Sequence, residues 1–175
     1  DIIIAQNAGK PVGEELVAEL AGITEGIDSW TPNQKAELWG GMAGRFLNLG
    51  LNEPGRQFLT LAADARPNDL PLRVNLFSLA LEANDDAGMK DAQDKIRKIV
   101  GSTEDHTWLY TEARRRLSLL RRGGQPDPKA LDEIRPLVAK AIEQRKEWHE
   151  LYVLNAELEL AAGNLPKALE SFDRA

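Results

Sequence analysis

Apolar residues recur at three- and four-residue intervals along almost the whole chain, and no stretch alternates in the way a half-buried strand does. Val12, Leu16, Leu20, Ile23 and Ile27 fall on one helical stripe. Thr31-Pro32-Asn33-Gln34 then reads as a helix start. Thr31 can cap, Pro32 suits the first turn because its missing N–H would find no partner there, and Gln34 can close a capping box. The apolar set Leu38, Trp39, Met42, Ala43, Phe46 and Leu49 follows, with Gly50 placed to end the helix in a left-handed conformation.

The same punctuation repeats downstream. Asn52-Glu53-Pro54 opens a helix that stops before Pro67, and Asp69-Leu70-Pro71 opens the next. Asn84-Asp85-Asp86 leads into one that closes at Gly101. A long helix is expected from about Glu104 to Arg122, ended by Gly123-Gly124, and Asp127-Pro128 begins another. Gly163-Asn164 splits the last two. Connections this short join antiparallel helices, so the expected fold class is all-α, built of helix hairpins in series.

A length of 175 residues suits one domain or a short repeat array. With no cysteine in the chain, disulfides, thiolate zinc sites and cysteine nucleophiles are excluded from it. Net charge is −6, from 22 Lys+Arg against 28 Asp+Glu, which argues against a nucleic-acid partner. The longest apolar runs, such as Ile2-Ile3-Ile4-Ala5, are far too short to span a bilayer. A soluble chain of this kind is compatible with cytoplasm and periplasm alike.

Self-comparison reveals an internal repeat. Ala43, Gly50, Gly55, Leu59 and Ala62 match Ala156, Gly163, Ala168, Phe172 and Ala175 at one constant offset of 113 residues. A shift of 34 carries Met42, Gly55 and Ala62 onto Leu76, Met89 and Ile96. A period near 34 with helix–turn–helix content marks a solenoid, in which stacked hairpins complete one another's core. The spacing Trp39-x2-Met42-Ala43-x2-Phe46, then Gly55-x3-Leu59-x2-Ala62-x4-Pro67, resembles the tetratricopeptide repeat family in all eight spacings, with Gly55 in place of the small Ala and Met42 and Leu59 similar in size to the family's residues. Asn155 and Glu159 depart from the pattern where the family has apolar residues, as do Phe77, in a small-residue place, and Gln93, in an aromatic one.

The resemblance implies a single right-handed α-solenoid domain over residues 1–175. Residues 1–30 would be the end of an upstream partial repeat plus one helix, 31–69 a clear repeat and 70–103 a weak one. Residues 104–147 would form a divergent long hairpin, and 148–175 a truncated repeat. Both ends then look cut, as in a fragment of a longer polypeptide. In this family the first helices of successive hairpins line a concave groove for peptides or partner helices. Matched by position, the groove would present Glu37, Gly40, Gly44, Leu47 and Asn48, then Val74, Asn75, Ser78, Leu81 and Glu82. Some members grip a C-terminal carboxylate with lysine and asparagine pairs, but Gly40 and Gly44 take two of those places here and only Asn75 remains.

Three features invite a chemical reading. Gly40-Gly41-Met42-Ala43-Gly44 lacks the preceding strand and the following Gly-Lys-Ser/Thr of a phosphate loop. Interior helix glycines cost about 1 kcal/mol each, so close packing of a neighbouring helix is the leading explanation, and approach of a ligand backbone the alternative. Glu112 to Arg122 carries five arginines against one glutamate. Leu109, Tyr110, Ala113, Leu117 and Leu120 form its expected buried stripe, while Arg114, Arg115, Arg121 and Arg122 cluster on another face. That face is either a solvated helix end or a candidate anion-binding surface, since arginine forks suit carboxylates and phosphates. Trp30, Trp39, Trp108 and Trp148 sit near helix starts, and repeat position makes Trp39 core.

His106 and His149 have no partner at ligand spacing, so no metal and no cofactor is expected. No paired carboxylates or nucleophile elbow suggest catalysis. The expected function is a non-catalytic scaffold that binds a protein or peptide. The alternative is a helical accessory or regulatory domain of a larger enzyme or of a secretion or assembly machine.

Overall fold

The structure, a computed structural model, describes Gly22, residues 26–124 and residues 127–175. Among these residues it is helical throughout, with no strand. A short 3-10 turn, Ile27–Ser29, precedes α1 (Pro32–Asn48), α2 (Asn52–Ala65), α3 (Leu70–Glu82) and α4 (Asp86–Val100). Then come α5 (His106–Arg122), α6 (Pro128–Gln144), α7 (His149–Ala161) and α8 (Leu165–Phe172). The expected stripe of Val12, Leu16, Leu20 and Ile23 lies outside the described residues, while Ile27 is buried.

The caps show why the elements start and stop where they do. Thr31 Oγ1 accepts from the Gln34 N–H at 3.3 Å while Gln34 Oε1 accepts from the Thr31 N–H at 2.9 Å, the reciprocal box that satisfies two orphan donors. Asp85, Asp105 and Asp127 each accept a backbone N–H of the first turn of the helix that follows. At the other ends Gly101 and Gly163 reverse the chain at φ 72° and 73°, a conformation costly for a residue with a Cβ.

By compactness the chain divides into two units, Asp1–Leu72 and Arg73–Ala175. In the first, α1 and α2 pack as a hairpin. Phe46 and Phe58 stack with ring centroids 5.3 Å apart, among buried Ala36, Ala43, Leu59, Ala62 and Ala63. Gly55 brings the helices close: a Cβ there would sit 2.6 Å from Leu47 Cγ. Arg66, past the end of α2, reaches back to α1 through Asn33 Oδ1 and Glu37 Oε1, both at 3.1 Å. Trp39, expected as core, is only half-buried, as is Met42. Phe46, Phe58, Leu59 and the alanines fill the core of this hairpin, and Trp39 and Met42 lie at its margin.

The second unit is organised around α5, α6 and α7. Leu109, Tyr110, Ala113 and Leu117 of α5 meet Leu131, Ile134, Val138 and Ala141 of α6 and Leu151, Leu154 and Leu158 of α7. This is the stripe expected of α5, with Leu120 at its edge. α4 packs on α5, and α8 on α7.

Two departures from the repeat pattern are explained by pairing. Glu159 is buried but accepts from Arg135 Nε at 2.9 Å and from the other end of that guanidinium at 3.2 Å. Asn155 donates to Ser171 Oγ on α8 at 2.8 Å. Gln93 belongs to a third polar cluster and donates to buried Glu112 at 3.1 Å. A buried charge is tolerated when it is paired and hydrogen-bonded, as the carboxylates of Glu159 and Glu112 are. On α8, Leu165, Leu169 and Phe172 are exposed.

Candidate functional site

The arginine-rich helix α5 divides its cations between two surroundings. Glu112 is almost wholly buried and accepts from Arg115 at 2.9 and 3.1 Å, from Arg116 Nε at 2.6 Å and from Gln93. Burial alone would raise its carboxyl, but the hydrogen bonds from Arg116, Arg115 and Gln93 outweigh that effect and hold it below its ordinary range. Arg115 is thereby committed to an intrahelical network.

Arg114, Arg121 and Arg122 line a single open cleft of about 400 Å³ within the second unit, together with Leu81, Glu82, Asn84, Leu117, Ser118 and Glu157. Leu81 and Leu117 provide the apolar part of its lining. α3 contributes Leu81 and Glu82, α5 contributes Leu117, Ser118 and the arginines, and α7 contributes Glu157.

The arginines are held in specific ways. Arg114 donates to Glu157 Oε2 at 2.7 Å, and its guanidinium carbon lies 5.9 Å from the centroid of the Tyr110 ring. Tyr110 is packed in turn on Trp148, 4.7 Å away, which meets His106 edge-on. Arg121 approaches the same Glu157 oxygen at 3.4 Å and donates to the Glu157 main-chain carbonyl at 3.1 Å. Arg122 donates to Asp86 Oδ1 at 2.8 Å and to Ser118 Oγ at 3.3 Å. Glu157 Oε2 thus serves two guanidinium groups, while the Arg114 Nε–H is buried with no acceptor among the described residues.

The groove positions inferred from repeat register fall into the two units. On α1, Glu37, Gly44 and Asn48 are exposed and Gly40 is partly so; Glu37 pairs with Arg66, and Leu47 lies over Gly55 inside the hairpin. On α3, Asn75 and Glu82 are exposed, and Val74, Ser78 and Leu81 are partly buried. Of these, Leu81 and Glu82 line the cleft. Among the described residues no neighbour packs closely on Gly40, Gly41 or Gly44: a Cβ on any of them would meet nothing there within 4 Å.

Sequence reasoning missed Glu157, whose role comes from its place on α7 opposite α5. The signal for it was only a charged residue 43 positions from Arg114. Among the described residues no three His, Asp or Glu side chains are grouped to hold a metal ion, and no helix is long and apolar enough to cross a membrane. In comparisons with known proteins, no family model matches the chain and no curated protein matches it.

Proposed function

We propose that the chain is a non-catalytic interaction scaffold that holds a peptide or partner helix against its hairpins, the role that the resemblance to tetratricopeptide repeats implies. One observation carries this reading. Leu81 and Glu82, chosen by repeat register, and Arg114, Arg121 and Arg122, chosen by charge, line the same open cleft. Two independent criteria converge on one concave surface with apolar and charged lining. Such a surface suits an amphipathic segment: Leu81, partly exposed, offers it apolar contact, and the arginines fix its orientation.

A peptide array probed with the labelled chain tests the proposal. Bound spots should weaken with Leu81→Ser, while the far-UV circular dichroism of the variant stays that of the parent. An array with no bound spots, or binding indifferent to Leu81, overturns it.

A further inference from the structure

We infer that the cleft takes an acidic peptide segment, one of whose carboxylates displaces Glu157 from Arg114 and Arg121, so that Glu157 is a built-in competitor for the site. The inference rests on the scaffold reading and adds the chemistry of the ligand. The donors of the cleft already show which anion fits them. Arg114 and Arg121 converge on one carboxylate oxygen of Glu157, and Arg122 binds the carboxylate of Asp86. A planar carboxylate is the shape that a guanidinium fork accepts on two parallel N–H groups.

Glu157 fills this role incompletely. Arg121 lies 3.4 Å from it, near the limit of a hydrogen bond, and the buried Nε–H of Arg114 has no acceptor among the described residues. The Arg114–Glu157 pair is partly exposed, each side chain at 25%, so an incoming acid can reach it and water can solvate the carboxylate it releases. Tyr110 packs beside the Arg114 guanidinium and limits where that cation can go. The site is therefore organised for a carboxylate before any ligand arrives.

The balance of charge also selects the partner. The lining holds three arginines against Glu82 and Glu157, a surplus of one charge that suits a single acidic side chain. A polyanion would meet Glu82, Glu157 and the net charge of −6 on the whole chain. Leu81 beside the cations favours an acidic residue with an apolar neighbour.

The test uses a fluorescent twelve-residue peptide with a central Leu-Glu-Leu in a glycine–serine background, and its counterpart with Gln for Glu. Anisotropy and amide NMR titrations follow binding at low and moderate salt. The Glu peptide should bind more tightly than the Gln peptide, by about tenfold, the scale of one lost charge-assisted contact. Glu157→Gln should tighten binding of the Glu peptide, and Arg121→Glu should abolish it with circular dichroism and melting temperature unchanged. Because Glu157→Gln leaves Arg114 without its carboxylate, the surface variant Arg122→Glu supplies an independent check and should weaken the same peptide.

Equal binding of the two peptides, or weaker binding by a folded Glu157→Gln chain, overturns the inference. So does tighter binding of a dT12 oligonucleotide than of the Glu peptide. If neither peptide binds while Leu81-dependent spots persist on the array, the inference falls and the scaffold reading stands. Loss of both removes both.

Discussion

Replacing Gly40, Gly41 and Gly44 together with alanine should stabilise the protein, and replacing Gly55 should not. All four glycines lie inside helices, where glycine costs about 0.5–1 kcal/mol relative to alanine through lost backbone entropy. At the three α1 positions a Cβ meets no atom within 4 Å among the described residues, so the entropy gain comes without a clash. Together they should add roughly 1.5–3 kcal/mol, or roughly 3–12 °C in melting temperature for a chain of this size.

Gly55 differs because its Cβ would lie 2.6 and 2.7 Å from Leu47 Cγ and Cδ2, and 3.3 Å from the Leu47 backbone nitrogen. The side chain could turn away, but the backbone would have to move as well. Overpacking of this kind costs about 1–3 kcal/mol, which offsets or exceeds the propensity gain. Urea unfolding followed by circular dichroism gives the overall change. Amide hydrogen exchange within α1 and α2 assigns it to that hairpin, a precaution warranted by the division into two units. A fall in urea midpoint for the triple alanine variant would refute the reasoning, since it would mean that something packs closely on that face of α1. A gain for Gly55→Ala as large as at the other sites would refute the close approach to Leu47.

Glu112→Gln should lower stability at neutral pH by roughly 1–3 kcal/mol, the cost of weakening a buried hydrogen-bonded group. Because hydrogen bonds from Arg116, Arg115 and Gln93 hold the folded carboxyl below its ordinary value of 4.5, its contribution is complete above that pH and is lost as pH falls through the folded value. Urea midpoints from pH 7 to 3 should therefore show the gap between parent and variant narrowing below about 4.5, and a gap that does not change with pH would contradict the network. Leu154→Ala, at a position with no exposure, should cost about 2–5 kcal/mol by urea unfolding. Trp39→Ala should cost less than the ~3–5 kcal/mol typical of a fully buried aromatic, because Trp39 is half-buried. Equal losses at both sites would place Trp39 in the core after all.

The helices were legible in the sequence because their signals are local. Thr31-Pro32, Asp85, Asp127-Pro128, Gly101 and Gly163 start and stop helices through hydrogen bonds and backbone preferences that span a few residues. The stripe Leu109, Tyr110, Ala113 and Leu117 was readable for the same reason, since a period of 3.6 residues fixes which side chains share a face. Three of the four arginines singled out by charge do line one cleft.

What the tertiary structure alone decided is the partner of each charged or bulky group. Arg114 and Arg115 are neighbours in the chain, yet one turns to Glu157 on α7 and the other to Glu112 on its own helix. Glu159 could look misplaced on an apolar face until α6 brings Arg135 against it. Trp39 was expected in the core and lies at its margin, while Phe46 and Phe58 stack inside the hairpin of α1 and α2. Periodicity specifies the face of a helix, but distance in space sets Coulomb and packing energies. Only the packing of α5 and of α6 against α7 brings together residues that are 43 and 24 positions apart.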